Sequence, residues 1–138
     1  IQYYTLSTLV EQQFEKQPPK SGLDFEEHFE FIMSKWKANE IQNTPETYFN
    51  FVQRVSEVFD ILKNSGESIL VVTSGGIIAK ALQNFLGLSD KVMIKFLLAS
   101  MNTGVTILNY SNGQFKVEQV NALPHLDHSS RIKSRTYF

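Results

Sequence analysis

Apolar residues fall into runs with two different periods along the chain. Leu6, Leu9, Val10 and Phe14 share one side of a weakly helical stretch over residues 5–16. Gln17-Pro18-Pro19-Lys20-Ser21-Gly22 breaks it, because proline and glycine end regular structure. Phe25, Phe29, Ile32 and Trp36 then recur at helical spacing, with Asp24 as cap and Glu26, Glu27, Glu30, Lys35 and Lys37 facing outward. A loop over Asn39–Asn43 precedes Thr44-Pro45, which reads as a helix start with a hydroxyl cap and proline at the first position. That helix carries Tyr48, Phe51, Val52, Val55, Val58, Phe59 and Leu62 and ends at Asn64-Ser65-Gly66.

Ile69–Val72 is short, continuous and mostly β-branched, as expected of a strand covered on both faces. A helix over Gly76–Leu86 closes at Gly87, and Ser89-Asp90 opens another carrying Val92, Met93, Phe96 and Leu97. Val105, Ile107 and Asn109 alternate with Thr106, Leu108 and Tyr110, the period of a strand over Gly104–Tyr110. Ser111-Asn112-Gly113 is a hairpin signal, and Phe115, Val117 and Val120 make the return strand. The tail from Leu123 reads as polar and irregular. The order predicts an α/β chain, a mixed sheet with flanking helices, organised as a single domain over residues 1–138. Three strands are few for so many amphipathic helices, so either the helices cover one face or part of the sheet is missing.

Composition narrows the classes. The 138 residues are 42% hydrophobic and 20% charged with a net charge of −1, which points to no nucleic-acid or membrane partner. The absence of cysteine excludes disulfides, thiolate metal sites and a cysteine nucleophile, and fits a reducing cytoplasm, the location we expect. No apolar run approaches the ~20 residues of a membrane span, and no secretory signal is apparent. Arginine is scarce, with three (Arg54, Arg131, Arg135) against ten lysines, although guanidinium forks are the usual grip on phosphate. The chain begins at Ile1 rather than Met, as expected of a processed or truncated product.

The chemistry concentrates at Thr73-Ser74-Gly75-Gly76. A strand end leading into a helix gathers backbone N–H groups at the positive end of the helix dipole. Two glycines let a ligand approach the backbone, and two hydroxyls add donors. The same four residues also read as a plain turn into a tightly packed helix. A serine hydrolase is a third reading: Ser74 stands where a nucleophile elbow places it, with Gly76 two residues on and Asp90 and His125 in triad order. The glycine two residues before the serine is absent. Elsewhere, His28 reads as a surface or half-buried histidine, and Phe25, Phe29 and Trp36 as core. His125, Asp127 and His128 have no standard metal spacing, so no metal or other cofactor is expected. Lys91 and Lys95 read as solvated, and Arg131, Lys133 and Arg135 as a mildly basic, exposed tail.

With its flanks, the turn resembles a known family. SILVVTSGG, then IIAKALQNFLGLS, then MNTGVTILNYSNGQFKVEQVNALPHL follow in the order of the C-terminal half of the histidine phosphatase superfamily, the phosphoglycerate mutase-like proteins. The resemblance covers residues 44–126 and, more loosely, the whole chain. It implies a three-layer α/β/α fold and chemistry on a small phosphomonoester. In such proteins a histidine of an Arg-His-Gly motif attacks phosphorus, arginines hold the oxygens, a carboxylate protonates the leaving group and a second histidine completes the pocket. No Arg-His-Gly occurs in the 138 residues, and the resemblance places that segment upstream of Ile1. Ser74 falls where the second histidine would stand; Thr73, Ser74, Gly75, Gly76 and Asn102 are the implied phosphate-binding residues, and His125 is structural. The chain alone is therefore expected to be inactive, with a non-catalytic phosphate-binding or interaction module as the alternative. The resemblance also sets the nucleophile strand beside Ile69–Thr73. Without it an apolar sheet edge stays open, and pairing with a second copy or helices rearranged over the edge is expected.

Overall fold

The computed structural model describes residues 3–66 and 68–137. The chain is α/β, with five α-helices and one sheet among the described residues. The sequence reads as one domain; the structure falls into two compact units, Ile1–Ile61 and Leu62–Phe138.

The first unit is helical. Helix α1 (Tyr3–Gln13) buries Leu6, Ser7 and Val10. Helix α2 (Gly22–Lys37) is capped by Ser21, whose side chain accepts from the Asp24 amide; Asp24 is the acidic residue of the first turn rather than the cap. The α2 stripe buries His28, Phe29, Ile32, Met33 and Trp36, while Phe25 is only half-buried. Helix α3 (Tyr48–Lys63) begins three residues beyond Thr44-Pro45. Thr47 starts it: its hydroxyl accepts from Asn50 N at 3.1 Å and its carbonyl from Phe51 N at 3.0 Å. Phe51, Val55 and Phe59, spaced by four, are its buried face. Trp36 packs against the Tyr48 and Phe51 rings at 5.1 and 5.3 Å and donates from Nε1 to the Glu46 carbonyl at 2.9 Å.

His28 is 2% exposed, more deeply buried than the surface or half-buried position its sequence context suggests. Ser7 Oγ donates to Glu11 Oε1 at 2.7 Å and lies 3.0 Å from His28 Nε2. With its one proton on Glu11, the hydroxyl can only accept, so the ring carries its proton on Nε2. Nδ1 is buried with no partner among the described residues.

In the second unit, helix α4 (Gly75–Leu86) packs on helix α5 (Asp90–Leu98) and touches the sheet. Ala79, Ala81, Leu82, Met93, Ile94 and Leu97 form the core. Gly87 ends α4 in the left-handed conformation, φ 64°, where a Cβ would be strained. Ser89 caps α5 through Val92 N. Strands β1 (Val105–Ser111) and β2 (Gln114–Ala122) pair antiparallel. Asn112 and Gly113 take φ of 51° and 77°, the two positive angles of a type I′ hairpin. Irregularities between Val105 and Leu108 break the strict alternation, and Tyr110, packed 4.8 Å from Phe115, is exposed.

The tail forms two 3-10 turns, Pro124–Leu126 and Ile132–Ser134. Arg135 is not free in solvent: Nη2 donates to Asp127 Oδ1 at 2.8 Å and to the Leu126 carbonyl at 3.3 Å.

The expected first strand is absent as a strand. Among the described residues, the sheet is β1 and β2 alone, and Ile69–Val72 has no ladder partner. Exposures of 49, 90, 45 and 91% along those four residues alternate with the period of an extended chain. A strand exists only by pairing, so β-branched content straightens this segment without making it part of a sheet.

Candidate functional site

The turn after this segment has the geometry of a helix-terminus cradle. Ser74 is extended (φ −91°, ψ 158°) and caps α4 through its carbonyl, which accepts from Ile77 N at 3.1 Å and Ile78 N at 3.3 Å. Its hydroxyl makes no capping bond. The first N–H groups of a helix have no intrahelical acceptor. Among the described residues, Gly75 N–H and Gly76 N–H have none elsewhere either. Three donors therefore stand uncommitted at the positive end of α4, with Thr73 and Ser74 exposed.

The two glycines differ in surroundings. A Cβ on Gly75 would stand 3.2 Å from Leu97 Cδ1 and 3.6 Å from Ser100 Cβ, so this glycine lets α4 sit on α5. A Cβ on Gly76 would meet nothing within 4 Å, so its backbone is open to an approaching ligand.

Asn102 lies two residues beyond Ser100 but is engaged elsewhere. Its Nδ2 donates to Thr136 Oγ1 and to the Tyr137 carbonyl, both at 3.0 Å, and its N–H to the Thr136 carbonyl at 2.8 Å. Among the described residues no hydrogen bond joins it to Thr73–Gly76.

The neighbouring motif residues make a joint that sequence reasoning missed. Asn121 Oδ1 accepts from Met101 N at 3.0 Å, and Asn121 Nδ2 donates to the Ala99 carbonyl at 2.9 Å. A Cβ on Gly104 would collide with Asn121 Oδ1, which is held by its own hydrogen bonds, and press on the Met101 carbonyl at 3.0 Å, so this joint favours glycine. Thr103 sits at φ 63°, unfavourable for a β-branched residue, with its hydroxyl 2.9 Å from His125 Nε2. The signal was in the sequence as NTG and VNALPH, but nothing in one strand announces a side chain bonding the turn before its partner.

Two of the three residues in serine-hydrolase order, His125 and Asp90, make other contacts. His125 Nε2 faces Thr103, and Asp90 Oδ1 accepts from Gln83 Nε2 at 2.8 Å. Among the described residues no three His, Asp or Glu side chains cluster to hold a metal, and no helix is long and apolar enough to cross a membrane. A shallow cavity of about 300 Å³ opens between the end of β2 and the tail, and none of Thr73–Gly76 lines it.

An extended approach, a Gly-Gly turn and a helix N-terminus with uncommitted donors meet at Thr73–Gly76. The family model for the histidine phosphatase superfamily (branch 1) matches residues 1–123, and the chain belongs to that superfamily. No curated protein and no solved structure gives a match.

Proposed function

We propose that Thr73–Gly76 is the phosphate-holding turn of a histidine-phosphatase-type pocket for a small phosphomonoester. The uncommitted donors of Ser74, Gly75 and Gly76 at the start of α4, in a chain of this superfamily, carry the reading. The two amides and the helix dipole take phosphate oxygens, and the Ser74 hydroxyl adds one neutral hydrogen bond. A neutral donor is about half as strong as the cationic one a histidine would supply. With no Arg-His-Gly in the chain, there is neither the family's nucleophile nor its arginine fork, so binding without turnover is the expected behaviour.

The test pairs two measurements on the 138-residue chain. Titration with inorganic phosphate should shift the Gly75 and Gly76 amide resonances, saturably and at millimolar concentration. p-Nitrophenyl phosphate should be hydrolysed no faster than in buffer. Amides that do not respond, or turnover that Ser74→Ala abolishes, would overturn the reading.

Ser74 in the histidine's place also favours a second reading, a phosphate-binding module with no catalysis in any context. An Arg-His-Gly encoded ahead of Ile1 would favour the enzyme; a different sequence there would favour the module.

A further inference from the structure

The tip of the β1–β2 hairpin carries a reactive dipeptide. Of the nine asparagines in the chain, Asn112 alone precedes glycine. Both residues are exposed, and a Cβ on Gly113 would meet nothing within 4 Å. Among the described residues, neither the Asn112 side chain nor the Gly113 N–H makes a hydrogen bond. The side-chain amide carbon and the next backbone nitrogen thus have no partner to give up, no side chain beside them and free access to water.

Other asparagines lack this combination. The side-chain amides of Asn102 and Asn121 are held by hydrogen bonds at the joint around Met101. Asn39 and Asn64 precede residues whose N–H is committed, Glu40 to the Lys35 carbonyl and Ser65 to that of Leu62. Asn50 and Asn84 lie inside α3 and α4, each followed by a phenylalanine.

We propose that Asn112-Gly113 is a self-modification site, where the chain converts Asn112 to isoaspartate and so opens its own hairpin. The Gly113 nitrogen gives its proton to solvent and bonds to Asn112 Cγ. The Cγ–Nδ2 bond breaks, and Nδ2 takes up a proton and leaves as ammonia. Water then opens the cyclic imide. Cleavage at Cγ gives aspartate; cleavage at the main-chain carbonyl leaves Gly113 bonded to Cγ, which is isoaspartate. One water enters, one ammonia leaves, one negative charge appears and nothing is oxidised or reduced. The isoaspartate carries the main chain through one extra carbon. A two-residue turn sets register by its length, and this one needs φ of 51° and 77°. The longer path no longer closes Ser111 on Gln114, and the Tyr110–Phe115 ring contact one pair further in loosens with it.

The test holds the 138-residue chain in mildly alkaline buffer at physiological temperature. Peptide masses follow each asparagine, and an isoaspartate-specific carboxyl methyltransferase marks the product. Asn112 should gain one dalton several-fold faster than any other asparagine and should accept the methyl label. Hydrogen exchange over residues 105–122 should be several-fold faster in the isolated isoaspartyl form than in the parent. Asn112→Asp places the same charge on a main chain of normal length and should exchange like the parent. Conversion no faster at Asn112 than elsewhere, a product without isoaspartate, or an isoaspartyl form that exchanges like Asn112→Asp would each overturn the proposal.

Discussion

Gly75 and Gly76 are adjacent in the chain and have different neighbours. Leu97, whose methyl would lie 3.2 Å from a Cβ on Gly75, is itself buried and has little room to yield. Gly75→Ala should destabilise by about 1 kcal/mol, the lower end of overpacking costs. Gly76→Ala meets no atom and gains helix propensity, so it should be neutral or stabilising by up to about 1 kcal/mol. Phosphate should discriminate in the other direction, because the new methyl at Gly76 stands where a ligand would reach the amides. Urea midpoints and phosphate titrations of the two variants check both halves. Equal stability losses would show that the two sites pack alike. The sequence offered the glycine pair but not this division, since GG is symmetrical in print and Leu97 is 22 residues away along the chain.

At the scale of elements, the start of α3 is held by a bond that titrates. Arg54 Nε and Nη2 donate to the two Glu46 carboxylate oxygens at 2.9 and 2.8 Å. That hydrogen bonding holds the Glu46 carboxyl below its ordinary value of 4.5 and raises the Arg54 guanidinium. A carboxyl that is harder to protonate when folded stabilises the fold above its ordinary value, and the effect is lost as pH falls through the lowered one. The pair is partly exposed, Arg54 at 45% and Glu46 at 19%, so its worth is under about 1 kcal/mol. Arg54→Met should therefore lose stability at pH 7 and match the parent once pH falls well below 4.5. Trp36, the single tryptophan, donates to the Glu46 carbonyl and reports the joint by its fluorescence. A parent–variant difference unchanged at low pH would refute the assignment.

The same scale shows what was legible. The helices were, because Phe51, Val55 and Phe59 repeat with the helix turn and need only their own segment to do so. The hairpin was, because Asn112-Gly113 between two alternating runs accepts two positive φ angles. The start of α3 was misplaced because Thr44-Pro45 and Thr47 both carry starting signals, and Thr47 is the one whose hydroxyl meets an amide. Ile69–Val72 was misjudged as part of a sheet because its composition reports an extended backbone but not a partner. Of the candidate site, the turn at Thr73–Gly76 was visible as a local motif. The commitment of Asn102 to Thr136 and Tyr137 was not, since it joins residues 34 and 35 positions apart.

For the molecule as a whole, catalysis depends on where the three arginines are spent. Arg54 is on Glu46, Arg131 Nη1 on the His125 carbonyl at 3.2 Å, and Arg135 on Asp127 and the Leu126 carbonyl. No hydrogen bond among the described residues turns any of the three toward Thr73–Gly76. A phosphoryl transfer needs charge neutralisation and a nucleophile together, and adding one without the other should change binding alone. Ser74→His tests this by adding a titratable donor at the proposed phosphate turn. An exposed imidazole is cationic below about pH 6.5, so the variant should bind inorganic phosphate several-fold more tightly at pH 6 than at pH 8. Phosphate's own second ionisation acts the other way over this range, so the parent chain, titrated in parallel, supplies the baseline. p-Nitrophenyl phosphate should still not be turned over at either pH, because position 74 supplies a donor and no arginine fork accompanies it. Turnover by the variant would mean that this chain holds its own nucleophile, and binding indifferent to pH would mean that position 74 does not face the phosphate.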